Sequence, residues 1–161
     1  MSEEAMSPTQ ASRQLDCEPP EAKPRPRVLV VEDEALLRET LKDMLDALGY
    51  DVVTECGKVE EAIQAAGEAN IDLALLDVNL GGERSFPVAE MLQQRGHPYL
   101  WMTGYGASII PPSLAAPLLA KPFRQHDLFR VMVELENTRF PRDSALVSTS
   151  RSSAGADLQS A

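Results

Sequence analysis

The sequence predicts an α/β fold in which a five-stranded parallel sheet carries helices on both faces. Two observations lead there. Five strand-like runs alternate with helix-like ones between residues 27 and 138, the pattern of a sheet built by helical crossovers. One of the strand-like runs, "IDLALLDV" at 71–78, is apolar enough to be buried on both sides, as central strands of parallel sheets are.

The elements follow in order. "RVLVVED" is a β-branched run that ends in acid, and "EALLRETLKDMLDALGY" places Leu37, Leu41, Met44, Leu45 and Leu48 on one helical face, with Gly49 as a stop. "DVVTEC" reads as a second strand and "KVEEAIQAAGEAN" as a second amphipathic helix. After the buried strand at 71–78, "FPVAEMLQQRG" is a third helix, with Pro87 tolerated in its first turn. "PYLWMTG" and "PLLAKPF" supply two more strands, and "RQHDLFRVMVELENT" closes the fold as a helix with Leu128, Val131, Met132 and Leu135 inward.

Composition bounds the rest. With 161 residues and a hydrophobic fraction of 43%, the chain has room for one ordinary domain with a proper core. The formal charge of −10 comes without clustered Lys and Arg, which argues against a nucleic-acid partner. Cys17 and Cys56 are far apart and form no CxxC pair, so neither a disulfide framework nor a zinc site is expected. No secretory leader and no membrane-spanning run of about 18 apolar residues is visible. A cytoplasmic protein with no membrane partner is expected. Residues 1–26 hold five of the twelve prolines and no hydrophobic periodicity, and 139–161 is Ser- and Ala-rich, so both are expected to be disordered tails around a domain at 27–138, with no room for an output domain.

In open parallel sheets, ligands bind beyond the carboxyl ends of the strands. The residues at those ends are Glu32 and Asp33, Asp77, Thr103 and Lys121. Three carboxylates on one rim repel unless a cation sits among them, and a hard-oxygen donor set points to Mg2+. A carboxylate beside a metal, a hydroxyl and an ammonium is equipped for phosphoryl transfer.

The segments "VLVVEDE", "LALLDVNLGG", "MTG" and "AKPF" resemble the signature segments of response-regulator receiver domains of two-component signalling, a likeness that covers residues 27 to about 138. The resemblance implies a flavodoxin-like receiver fold. It makes Asp77 the phosphoacceptor, Glu32 and Asp33 the acidic pair for magnesium, and Asn79 a metal ligand through its backbone carbonyl. Thr103 would offer its hydroxyl to the phosphoryl group and Lys121 its ammonium. Asn79 and Tyr105 match two variable positions that tune phosphate loss in the family, and a cis peptide before Pro122 is implied. Such a domain catalyses its own aspartyl phosphorylation and dephosphorylation and is not otherwise an enzyme. Implied partners are a histidine kinase or phosphotransfer protein and a downstream protein target, and homodimers are common in the family. "LDVNLGGE" with "TGYG" is further similar to stand-alone receivers found with kinases of the HWE type.

Two departures stand out. Leu118 occupies the position where the family carries Tyr or Phe that swings inward on phosphorylation, so no aromatic switch is implied here. Only 18 positions separate Thr103 from Lys121, with Pro111, Pro112 and Pro117 between them. The family's fourth helix is therefore expected to be short, displaced or absent, since proline in a helix interior costs about 3 kcal/mol.

Each residue also has a plainer reading. Asp77 alone would be a turn former or helix cap, Glu32 and Asp33 a favourable first-turn pair, Thr103 a backbone partner and Lys121 a solvated cation. Their joint occurrence outweighs those readings. Gly81 and Gly82 match no P-loop spacing and read as a turn. His97 and His126 read as a turn and a helix-start residue, and Tyr99 and Trp101 as packing residues. Two functional alternatives stay open: a pseudo-receiver that binds without being phosphorylated, and a phosphatase of the haloacid dehalogenase type, against which the missing second acid in "DVN" speaks. A dinucleotide binder lacks its glycine-rich loop after the first strand.

Overall fold

The computed structural model describes residues 22–68 and 70–139. Of the expected tails, 1–21 and 140–161 lie outside the described residues. The described residues 22–26 form no helix or strand, yet the Arg25 guanidinium reaches Asp46 Oδ1 at 2.8 Å and the Pro26 carbonyl accepts the Asp51 N–H at 2.9 Å.

The strands are β1 (Arg27–Val31), β2 (Asp51–Cys56), β3 (Leu73–Asp77), β4 (Asn79–Leu80), β5 (Glu83–Arg84), β6 (Tyr99–Thr103) and β7 (Leu118–Ala120). The helices are α1 (Ala35–Ala47), α2 (Val59–Glu68), α3 (Phe86–Arg95) and α4 (Gln125–Arg139). Five strands form one parallel sheet in the order β2-β1-β3-β6-β7, the flavodoxin-like order with its switch point between β1 and β3.

Alternation along the strands divides the core in two. Leu29, Val31, Ala74, Leu76 and Trp101 face α2 and α3, where Val59, Ala62, Ala66, Val88, Ala89 and Leu92 are buried. Val28, Val30, Leu73, Leu75, Leu100, Met102 and Leu119 face α1 and α4, where Leu41, Leu45, Leu128, Val131, Met132 and Leu135 are buried. All five residues of β3 are buried, as its apolar run predicts. Fully burying one such Leu is worth about 1.5–3 kcal/mol, so both helical layers are held to the same sheet by alternate residues of the same strands.

Between β6 and β7 the chain makes two short 3-10 turns, Ala107–Ile109 and Pro112–Leu114, in place of a helix. Pro111, Pro112 and Pro117 account for this, because a proline lacks the N–H and clashes with the preceding helical turn. Side chains from the core hold the segment instead. The Leu114 carbonyl accepts the Trp101 indole N–H at 2.8 Å and the Tyr99 hydroxyl at 3.2 Å, and the Ser113 carbonyl accepts Gln93 Nε2 at 2.9 Å. Trp101 sits edge-on to both Tyr99 and Phe86, with ring centroids at 5.5 and 5.9 Å.

Candidate functional site

The strand ends meet as a parallel sheet requires. Glu32 and Asp33 follow β1, Asp77 ends β3, Thr103 ends β6 and Lys121 follows β7. Glu32, Asp77 and Thr103 are buried, whereas Asp33 is exposed. One oxygen from each of Glu32, Asp33 and Asp77 lies within 4.8 Å of the others.

Lys121 is the cation among them. Its Nζ donates to Glu32 Oε2 at 2.6 Å and to Asp77 Oδ2 at 2.8 Å. The Lys121–Pro122 peptide is cis. Burial pushes the Glu32 carboxyl above its ordinary range; hydrogen bonds from Lys121 and from the Glu34 N–H oppose this, and the Asp77 charge reinforces it. For Lys121, burial pulls the ammonium down but is outweighed by its hydrogen bonds to Asp77 and Glu32, so the net direction is upward. The ammonium therefore stays charged, and Glu32 is the strained partner. Crowded carboxylates held by one cation have room in their chemistry for another, and an all-oxygen set with two buried acids and one open one suits a divalent ion that keeps part of its water shell. Magnesium fits this donor set.

Around this core the loops donate N–H groups. Asn79 N bonds Asp77 Oδ1 at 3.2 Å, Gly81 N bonds Asp33 Oδ2 at 2.9 Å, and Tyr105 N bonds Thr103 Oγ1 at 3.0 Å. The Lys121 N–H is bound by the Thr103 carbonyl at 2.9 Å, which couples the two strand ends that bear the hydroxyl and the ammonium. The expected turn at Gly81 and Gly82 is the two-residue loop of the β4–β5 hairpin, with φ of +60° and +97°. Positive φ at both positions is the hairpin geometry that favours Gly-Gly.

The remaining singled-out residues lie away from this rim. Tyr99 and Trp101 pack in the core as expected. His126 stands in the first turn of α4, 3.2 Å from Asp127. His97 follows the left-handed Gly96 that ends α3 and donates its N–H to the Leu92 carbonyl at 2.9 Å.

Two contributors escape a reading of the sequence. Ser85 stands before α3, where a serine ordinarily caps the helix, yet its buried hydroxyl makes no cap and donates to the Asp77 carbonyl. Arg38 reads as part of the polar face of α1, yet its Nη1 donates to the Glu32 carbonyl at 2.6 Å. Neither leaves a signal in spacing or periodicity.

Comparison with known proteins agrees with this architecture. The family described as "Response regulator receiver domain" matches residues 28–132. The transcriptional regulatory protein PdtaR of Mycobacterium tuberculosis is 35% identical over 125 residues, covering 74% of this chain and 60% of that protein. The aerobic respiration control protein ArcA of Escherichia coli is 38% identical over 80 residues, 49% of this chain and 33% of that one. The chain thus spans about 60% or less of the length of these relatives. Among solved structures, SdrG from Sphingomonas melonis Fr1 shares 35% identity with a TM-score of 0.62, covering 70% of this chain and 97% of that one. The receiver domain of a modulated diguanylate cyclase from Desulfovibrio desulfuricans G20 shares 29% identity with a TM-score of 0.65, covering 72% and 97%. Among the described residues no helix is long and apolar enough to cross a membrane. The chain belongs to the response regulator receiver domain family of two-component signalling.

Proposed function

We propose that Asp77 accepts a phosphoryl group from the phosphohistidine of a histidine kinase or phosphotransfer protein, with Mg2+, and that the phosphorylated form signals in the cytoplasm by protein–protein contact. In this reading residues 27–138 are the receiver domain. The observation that carries it is the position of the Asp77 carboxylate, at the mouth of a fully buried strand and gripped by Lys121 beside two further acids.

The chemistry follows from the contacts. A carboxylate oxygen of Asp77 attacks phosphorus; an O–P bond forms as the P–N bond breaks, and the imidazole nitrogen keeps the electron pair and takes a proton. Glu32, Asp33, Asp77 and the Asn79 carbonyl would hold Mg2+, which supplies positive charge to the phosphoryl oxygens. Lys121, already on Asp77 Oδ2, supplies a second cation to the same group. The Thr103 oxygen accepts the Tyr105 N–H, so its own hydroxyl proton remains available to a phosphoryl oxygen. Water then hydrolyses the acyl phosphate, at a rate that Asn79 and Tyr105, at the two variable positions of the family, would tune.

The test is Mg2+-dependent phosphorylation by acetyl phosphate or phosphoramidate, read by intact mass. The expected outcome is one added phosphoryl group on the wild-type protein and none on Asp77→Asn. A folded, magnesium-binding wild-type protein that gains no mass would overturn the phosphoacceptor role and leave a binding module in its place.

A further inference from the structure

The carboxylates of Glu32 and Asp33 depend on a turn whose carbonyls lie beyond the β1 ladders and before α1. The β1 ladders end at Val31, paired with Cys56 on one side and Leu76 on the other. The Glu32 N–H still reaches the Cys56 carbonyl at 3.0 Å, but the Glu32 carbonyl lies beyond the last ladder pair. A buried carbonyl needs a donor, and Glu32 is 1% exposed. On the helix side, Glu34 stands at the N-cap of α1 and makes no side-chain cap.

Arg38 fills this gap from the end of the first turn of α1. Its Nη1 donates to the Glu32 carbonyl at 2.6 Å and approaches the Asp33 carbonyl at 3.5 Å. A charged donor at that distance makes one of the stronger hydrogen bonds available to a backbone carbonyl. The guanidinium rests against Gly57, the residue after β2. A Cβ at Gly57 would stand 3.0 Å from Arg38 Nη1, 3.8 Å from the Glu32 carbonyl oxygen and 3.9 Å from the Asp33 Cα. Gly57 is not in the left-handed region, so space for the guanidinium, and not backbone conformation, is what a side chain there would remove.

We propose that Arg38 is a positioning residue for the acidic pair: seated on Gly57, it binds the Glu32 carbonyl and fixes the backbone from which Glu32 and Asp33 present their carboxylates to a divalent cation. The inference rests on the magnesium reading of Glu32, Asp33 and Asp77. It does not make Arg38 a ligand or a catalytic residue, since its contacts are to main-chain oxygens. Partners that orient metal ligands typically contribute 10- to 100-fold to metal affinity.

Calorimetric titration of the purified protein with MgCl2 alone tests it, using wild type, Arg38→Met, Arg38→Lys, Gly57→Ala and the double variant Gly57→Ala/Arg38→Met. Arg38→Met is expected to weaken Mg2+ binding about tenfold, with Arg38→Lys in between because one ammonium can reach one carbonyl. Gly57→Ala is expected to weaken binding by a smaller factor and to add nothing once Arg38 is gone, the signature of two residues acting through one contact. The Mg2+ concentration that half-saturates phosphorylation by acetyl phosphate should rise by the same factors. Arg38→Met that binds Mg2+ as tightly as wild type, even if it melts at a lower temperature without metal, reduces Arg38 to a structural residue and overturns the inference alone. Additive losses in the double variant overturn the Gly57 seat. A wild-type protein that takes up no Mg2+ overturns the magnesium reading and this inference with it.

Discussion

Two loops flank Asp77, and they are held in opposite ways. The loop after β3, residues 78–85, is bound to the site itself: Asn79 N to Asp77, Gly81 N to Asp33, and the Ser85 hydroxyl to the Asp77 carbonyl. The loop after β6, residues 104–117, touches the rim at its root through Tyr105 N and Thr103 Oγ1, while its far end hangs from Trp101, Tyr99 and Gln93. The first loop answers to charge at the rim, and the second to packing in the core. A change of charge at Asp77 therefore acts directly on the first loop and on the second only through Thr103. The part of the second loop free to respond is its near half, around Gly104 to Gly106, because Leu114 is pinned to buried aromatic side chains.

The sharpest way to break this contrast is to remove the cation on which the rim depends. Lys121→Met leaves the buried Glu32 and Asp77 carboxylates without the cation they share, each keeping one backbone N–H, from Glu34 and Asn79. Breaking a buried ion pair by deleting one side costs about 3–5 kcal/mol, and partial exposure of Lys121 puts the expected loss at about 3 kcal/mol. Thermal unfolding in EDTA measures it. Adding Mg2+ should recover part of the loss, because a second cation can stand between the acids, and hydrogen exchange in the variant should rise in 78–85 before it rises in 111–117. Equal loosening of the two loops would erase the distinction between them.

The complementary change strikes the second loop. Trp101→Phe keeps an aromatic ring against Phe86 but removes the indole N–H from the Leu114 carbonyl. Loss of one buried hydrogen bond costs about 1–2 kcal/mol, less if the Tyr99 hydroxyl continues to satisfy the carbonyl. The expected result is faster hydrogen exchange across 107–117, with Mg2+ affinity within about twofold of wild type. A large fall in Mg2+ affinity would mean that the two loops are one mechanical unit.

The rim was legible in the sequence for a reason that does not extend to the loops. In a parallel sheet all strands end on one side, so the residues at the ends of the four apolar runs β1, β3, β6 and β7 are brought to one rim whatever their separation along the chain; placing Glu32, Asp33, Asp77, Thr103 and Lys121 there needed no knowledge of side-chain conformation. The prolines likewise announced that the helix expected between Thr103 and Lys121 would be short, displaced or absent, and two short 3-10 turns stand in its place. The contacts that hold the loops are single hydrogen bonds from residues whose types have commoner uses. Ser85 reads as a cap, Arg38 as a solvated helix residue, and Trp101 as filling. The β4–β5 hairpin has two-residue strands, too short for any alternation to register, although the Gly81–Gly82 pair is a hairpin signal in its own right.

One strand of the sheet ends differently, and it supplies the smallest and cleanest test of how burial treats an ionisable group near this rim. β2 ends in Cys56, which is 5% exposed. Burial, reinforced by the charge of Glu61 and opposed by Arg38, pushes the thiol up from 9.0 to about 11. The proton is therefore held in the folded protein through the range in which a free thiol loses it. Since the thiolate is the reactive form, alkylation of Cys56 at pH 8 should be about 100-fold slower in the folded protein than in the same chain unfolded in denaturant, and should rise about tenfold per pH unit until it levels off near pH 11. Replacing Cys17, which lies outside the described residues, by Ser isolates the signal. No hydrogen bond from a cation is among the causes of this shift, unlike that of Glu32, so it is chiefly the response of a strand-end acid to burial. Rapid alkylation at pH 8 would show that this end of the sheet opens readily, and the Gly57 seat one residue further on would open with it.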